Sequence, residues 1–133
     1  MADGYPELLK SLSADEADAV LALGRGLTLP MQVFGQEQDI LVEERVAGQT
    51  LGWSALIPPH RFTLKATAQI DTELLAFPRA ALLEHFAAQP RVGYAVVGNV
   101  ASTVGERLQV FQAMWLREMK RVLELSRGTG NAV

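Results

Sequence analysis

Leu51-Gly52-Trp53-Ser54-Ala55-Leu56-Ile57-Pro58-Pro59-His60-Arg61-Phe62-Thr63-Leu64-Lys65-Ala66-Thr67-Ala68 is the stretch around which the rest of the chain is organised. Gly52 permits a tight backbone turn, Ser54 and Ala55 leave the next turn uncrowded, and Pro58-Pro59 stops a helix after about one and a half turns. Open amides at a short helix start favour an anion, and His60 and Arg61 follow directly. Arg61 carries the planar guanidinium fork that matches a phosphate or a carboxylate. From Phe62 the pattern becomes a strict alternation, with Phe62, Leu64, Ala66 and Ala68 on one face and Thr63, Lys65, Thr67 and Gln69 on the other. The order of parts is turn, short helix, arginine, strand. A small anion would sit on the amides of residues 52 to 55 and on Arg61.

Upstream, residues 6 to 12 predict a short helical turn, and Ser13 with Glu16 forms a capping box that opens a second helix through Leu23, ended by Gly24 and Gly26. Strands are predicted over Leu27 to Phe34 and Ile40 to Val46, joined as an antiparallel hairpin by Gly35-Gln36-Glu37-Gln38-Asp39. Downstream, the strand from Phe62 to Ile70 turns at Asp71-Thr72 into another over Glu73 to Phe77. Pro78 starts a helix to about Gln89, and Pro90 breaks it and starts a longer one to about Arg127, leaving Gly128 to Val133 as a frayed tail.

This arrangement resembles the cyclic-nucleotide-binding domain, the sensor module of the catabolite activator protein family and of cyclic-nucleotide-gated kinases and channels. The family's phosphate-binding cassette has Phe-Gly-Glu-Leu-Ala, a short loop, Arg-Ser or Arg-Thr-Ala, a strand and an acidic Asp-Thr-Glu-Leu turn. Leu51-Gly52-Trp53-Ser54-Ala55-Leu56 and Asp71-Thr72-Glu73-Leu74 stand in those places, and Leu8-Leu9-Lys10-Ser11-Leu12-Ser13 is similar to the family's opening helix pair. The resemblance implies an α+β fold: an antiparallel, jelly-roll-like β-roll with N-terminal helices and a long C-terminal helix. As one domain over 1–133, it divides into helices at 1–26, a roll at 27–77 with the cassette at 51–62, and helices at 78–127.

Gly52, Trp53, Ser54, Ala55, Arg61, Phe62 and Thr63 become the expected ligand-binding residues, and a cyclic nucleotide the implied ligand. Two departures bear on that ligand. Trp53 occupies the place of the glutamate that accepts from the ribose hydroxyl, and an indole only donates. Arg61 is offset by about a residue when the match is anchored on Asp71 instead of Gly52. In addition, Gly26 runs straight into Leu27-Thr28-Leu29, so the first strands of the roll are missing. An internal deletion, a divergent subtype or a different strand matching would each account for that.

The 133 residues, 49 % hydrophobic, suit a single globular domain with its own core. Cysteine is absent, which removes disulfides, thiol chemistry and cysteine metal sites and fits a cytoplasmic setting. A formal charge of −3 and an isoelectric point near 5.3 argue against nucleic-acid binding. Asp3 and Glu7 interrupt any signal peptide. The apolar run Val92 to Ala101, bounded by Arg91 and broken by Asn99, is far short of the roughly 20 residues of a membrane span. His60 and His85 lie in separate segments without metal-ligand spacing, and Ser54 lacks the Gly-x-Ser-x-Gly setting of a hydrolase. No metal and no enzymatic activity are expected.

Along the last helix Val104, Leu108, Phe111, Trp115, Met119 and Val122 recur at spacings of four, three, four, four and three, forming one apolar stripe. A small roll covers only part of it, so the stripe is expected to be a homodimer seam. The resemblance implies the same helix pairing, with an effector protein as a further partner, since no effector domain is expected after Asn131-Ala132-Val133. The reading from residues and resemblance together is a non-enzymatic sensor or regulatory domain that binds a small anion. The alternative is a degenerate interaction and dimerisation module without ligand binding.

Overall fold

A computed structural model of the chain describes residues 4–32, 44–62 and 64–130, with residues 129 and 130 described by their backbone alone. It is an α+β structure. A 3-10 turn (Glu7–Leu9) precedes helix α1 (Ala14–Leu21); strand β1 (Arg25–Leu29), a second 3-10 turn (Trp53–Leu56) and strand β2 (Thr72–Ala76) follow. Helix α2 (Arg79–Ala88) and helix α3 (Pro90–Gly130) complete it. The chain forms two compact units, Met1–Asn99 and Val100–Val133.

Local chemistry explains the helix starts. The Ser13 side chain accepts from the Glu16 N–H at 3.2 Å, and Glu16 Oε1 accepts from the Ser13 N–H at 3.0 Å, so the capping box satisfies two otherwise unpaired donors. Pro78 caps α2 and Pro90 is the first residue of α3, where a missing N–H has no consequence. Helix α1 ends at Leu21, two residues before the expected Leu23. The Leu23 and Gly24 amides tighten the exit by donating to Val20 and Leu21. Gly26 belongs to β1 and terminates nothing. Helix α3 continues through Gly130, so 128–130 are helical where a tail was expected, and 131–133 lie outside the described residues.

The strands depart further from expectation. β1 pairs antiparallel with β2, Arg25 opposite Ala76 and Leu29 opposite Thr72. β2 lies within a residue of the expected Glu73 to Phe77 strand, but its partner is 43 or more positions away. Residues 33–43, which carry most of the expected hairpin and all of its turn, lie outside the described residues, and Glu44 to Val46 form no strand. Phe62 to Ile70 is not a strand among the described residues either. The segment is tied by the Gln32 N–H donating to the Ala68 carbonyl at 2.9 Å, Gln69 Nε2 donating to Glu44 Oε1 at 3.2 Å and the Thr72 hydroxyl donating to the Ile70 carbonyl at 2.7 Å, and just beyond it the Met31 N–H donates to Asp71 Oδ1 at 2.9 Å. Alternation specifies a strand only where a ladder and a covering layer exist. Here Phe62 is 69 % and Leu64 55 % exposed, so the apolar face is uncovered.

The core of the first unit is small and largely helical: Leu8, Leu9 and Leu12 from the opening turn, Ala17 and Val20 from α1, Leu82 from α2, and Val92 and Val96 from α3 are buried. Gly93 is also buried. A Cβ there would lie 2.8 Å from the Cβ of Phe86, so the missing side chain is what lets α2 and α3 pack this closely. Among the described residues no helix is long and apolar enough to cross a membrane.

Candidate functional site: the cassette of residues 51–62

The expected turn and short helix are present. Gly52 is left-handed (φ 69°, ψ 28°), a conformation that glycine adopts without steric cost. A Cβ at Gly52 would also stand 2.9 Å from Cε1 of Phe62, so the ring edge lies over the glycine and closes the cassette on itself. Between them Trp53–Leu56 makes a single 3-10 turn. The Ala55 N–H donates to the Gly52 carbonyl at 3.0 Å and the Ile57 N–H to the Ser54 carbonyl at 3.2 Å. The Ala55 amide is therefore already engaged and drops out of the amide group expected for an anion.

His60 folds back on this turn. Its φ is +61°, its N–H donates to the Ile57 carbonyl at 2.8 Å, and its ring Nδ1 donates to the Ala55 carbonyl at 2.9 Å. The imidazole thus braces the helix and the Pro58-Pro59 corner. Arg61, next in sequence, is exposed and makes no ion pair among the described residues. Gly52, Trp53, Ser54 and Ala55 are half-buried, whereas Arg61 and Phe62 are exposed. Thr63 lies outside the described residues. Six of the seven expected site residues therefore occupy one continuous loop, with contacts from Gly52 to Phe62 and from Ala55 to His60. Among the described residues no group of three or more His, Cys, Asp or Glu could hold a metal ion.

Two residues absent from the expected site support the approach to it, Glu7 by bonding the loop that leads into it and Asn99 by bonding the segment that carries Glu7. The Glu7 N–H donates to the Gly48 carbonyl and Glu7 Oε1 accepts from the Thr50 N–H, both at 2.9 Å. Asn99 of α3 donates from Nδ2 to the carbonyls of Leu8 (2.9 Å) and Lys10 (2.8 Å). The signal for Asn99 was present as the one amide inside the apolar run Val92 to Ala101, where a polar side chain needs a partner. Nothing local marks Glu7.

The second candidate surface is the distal part of α3. Val104 is half-buried, and Leu108, Phe111, Trp115, Met119 and Val122 are all exposed, Phe111 at 38 % and Trp115 at 61 %. At 100° per residue Leu116 and Leu123 widen the stripe on one flank and Met114 and Leu125 on the other, while Arg117, Lys120, Glu124 and Arg127 take the opposite side. No family model, curated protein or solved structure matches the chain.

Proposed function

We propose that the chain is a non-enzymatic regulatory domain of the cyclic-nucleotide-binding type. In this reading β1, β2 and the extended segment after Phe62 are parts of an incomplete antiparallel β-roll. The cassette binds a small anion through Arg61 and the Gly52 and Ser54 amides, and distal α3 pairs with a second copy. The observation that carries the reading is the cassette itself: a left-handed Gly52, one 3-10 turn, a Pro-Pro corner braced by His60, and an exposed Arg61 within ten residues. In this reading amides and a guanidinium fork act together on one anion.

Cyclic AMP is a poor ligand in this reading. Trp53 offers no acceptor to a ribose hydroxyl, and losing a buried hydrogen bond to a charged group costs about 1.5–3 kcal/mol, roughly tenfold to a hundredfold in affinity. Thermal denaturation against cyclic nucleotides and inorganic phosphate tests the proposal, because a ligand at about 100 times its Kd adds around 2.7 kcal/mol. At least one anion should raise Tm, and cyclic AMP should not bind below micromolar Kd. Arg61→Ala should abolish the shift while Lys65→Ala, which removes a point charge from the exposed segment, retains most of it. Equal losses at the two positions would place the site elsewhere.

The exposed stripe of α3 favours a second reading, an interaction module without a ligand. Self-association that persists with no anion shifting Tm distinguishes it.

A further inference from the structure

We propose that residues 5–12 form a strap that couples the cassette loop to helix α3, with Glu7 gripping the loop and Asn99 gripping the strap. The strap's only regular structure is the three-residue turn Glu7–Leu9, too short to be stable by itself. Its order comes from its neighbours. On one side Glu7 uses both its amide and its carboxylate on residues 48–50, which end two positions before the left-handed Gly52. On the other side Asn99 spends both of its Nδ2 protons on the carbonyls of Leu8 and Lys10. Between these grips Leu8, Leu9 and Leu12 are buried, and the backbone passes through Ser11 at φ +65°, so the segment is held as a unit. Tyr5 adds a hydrogen bond to Asp18 of α1.

Glu7 and Leu8 are consecutive, so a displacement that breaks the loop's bonds to Glu7 also moves the carbonyl held by Asn99. Hydrogen bonds weaken steeply with distance and angle, which makes the two sets of bonds interdependent. Coupling of this kind is reciprocal: what loosens Asn99 loosens Thr50, and what rigidifies the loop rigidifies the anchor on α3. The importance of the strap for anion sensing rests on the proposed cassette. The coupling itself is tested without any ligand, so the two can fail separately.

The test is hydrogen exchange followed by NMR on the full chain. Asn99→Ala should speed exchange of the Thr50 amide at least tenfold, although the two residues do not bond to each other. Glu7→Ala should speed exchange of the Asn99 side-chain amide protons by a similar factor, and Glu7→Gln, which keeps an acceptor, should restore most of the protection. The Val20 amide in α1 serves as the control and should stay within twofold in every variant. Should Asn99→Ala not fold, Glu7→Ala decides alone, because it leaves Leu8, Leu9 and Leu12 in place. Exchange within twofold of wild type in either direction, or a rise at Val20 equal to that at the probe, would overturn the strap.

Discussion

Glu16 ties the N-terminus of α1 to α3 through one carboxylate. It accepts from the Ser13 amide, faces the Ser13 hydroxyl through the capping box, and is paired with Arg91 of α3. Its pKa lies below the usual carboxylate range, with the Ser13 amide the largest cause, the Ser13 hydroxyl next and Arg91 after, and desolvation opposing them. A folded-state pKa below the unfolded one means that the stabilisation is complete above the ordinary value of about 4.3 and is lost as pH falls through the folded value. Glu16 should therefore titrate by NMR below an unfolded reference peptide, and Glu16→Gln should flatten the acid limb of stability. A midpoint at or above the reference would contradict this. Ser13→Ala should cost about 1 kcal/mol in urea denaturation, as for other helix caps. Tyr5 responds at the other end of the pH scale. Its pKa is raised, chiefly by donation to Asp18, then by burial and by the charges of Asp18 and Asp15. Its contribution is present below the ordinary phenol range and is lost as pH rises through the raised value.

At the scale of the element, α3 contains glycines with opposite roles. Alanine is favoured over glycine by about 1 kcal/mol inside a helix, so each glycine needs a reason. Gly93 has one: a Cβ would meet Phe86 at 2.8 Å (Cβ), 3.1 Å (Cγ) and 3.5 Å (Cα), and the nearest of these, the Cβ, is fixed by the α2 backbone and does not swing away with the side chain. Gly98 and Gly105 have nothing within 4 Å of an added Cβ. Gly93→Ala should thus destabilise, because overpacking costs about 1–3 kcal/mol against the gain in propensity. Gly98→Ala and Gly105→Ala should each stabilise by up to about 1 kcal/mol. Urea midpoints of the three variants are the measurement, and a stabilised Gly93→Ala would show that α2 gives way. The stripe on the same helix has its own period: Val104 and Trp115, Leu108 and Met119, and Phe111 and Val122 are each eleven residues apart. Eleven residues in three turns is about 3.67 per turn, close to the 3.6 of a straight helix, so the stripe follows the axis and does not impose a left-handed supercoil.

For the whole molecule the proposed dimer is the main prediction. A straight stripe on one copy can cover the same stripe on another through an isologous contact. Burying Phe111 should contribute about 1.5–3 kcal/mol per protomer, and an aspartate there would leave an uncompensated charge in the contact. Wild-type protein should elute with the mass of two chains in light-scattering chromatography at tens of micromolar, and Phe111→Asp should elute as one chain or aggregate. Leu116→Asp, on the flank of the stripe, should weaken pairing much less. A wild-type monomer at high micromolar concentration would refute the pairing.

What the sequence determined by itself is the chemistry that acts within a few residues. Ser13 and Glu16 close a capping box across one turn, Pro78 and Pro90 start helices by what their rings forbid, and Gly52 turns left-handed where the cassette needs it. The tertiary structure decided everything that depends on a distant partner. The alternation after Phe62 promised a strand and β1 a nearby mate. β1 instead pairs with β2 across more than forty residues, and the apolar side of the alternation stays exposed without a layer to cover it. Gly93 is a packing glycine only because Phe86 of α2 lies against it. Asn99 was an interruption in an apolar run until its two donors met the carbonyls of Leu8 and Lys10, and Glu7 carried no local mark at all. Caps and turns are satisfied by backbone groups a few positions away, which sequence spacing specifies. Ladders, close approaches and cross-chain amides need a partner that only the folded chain delivers.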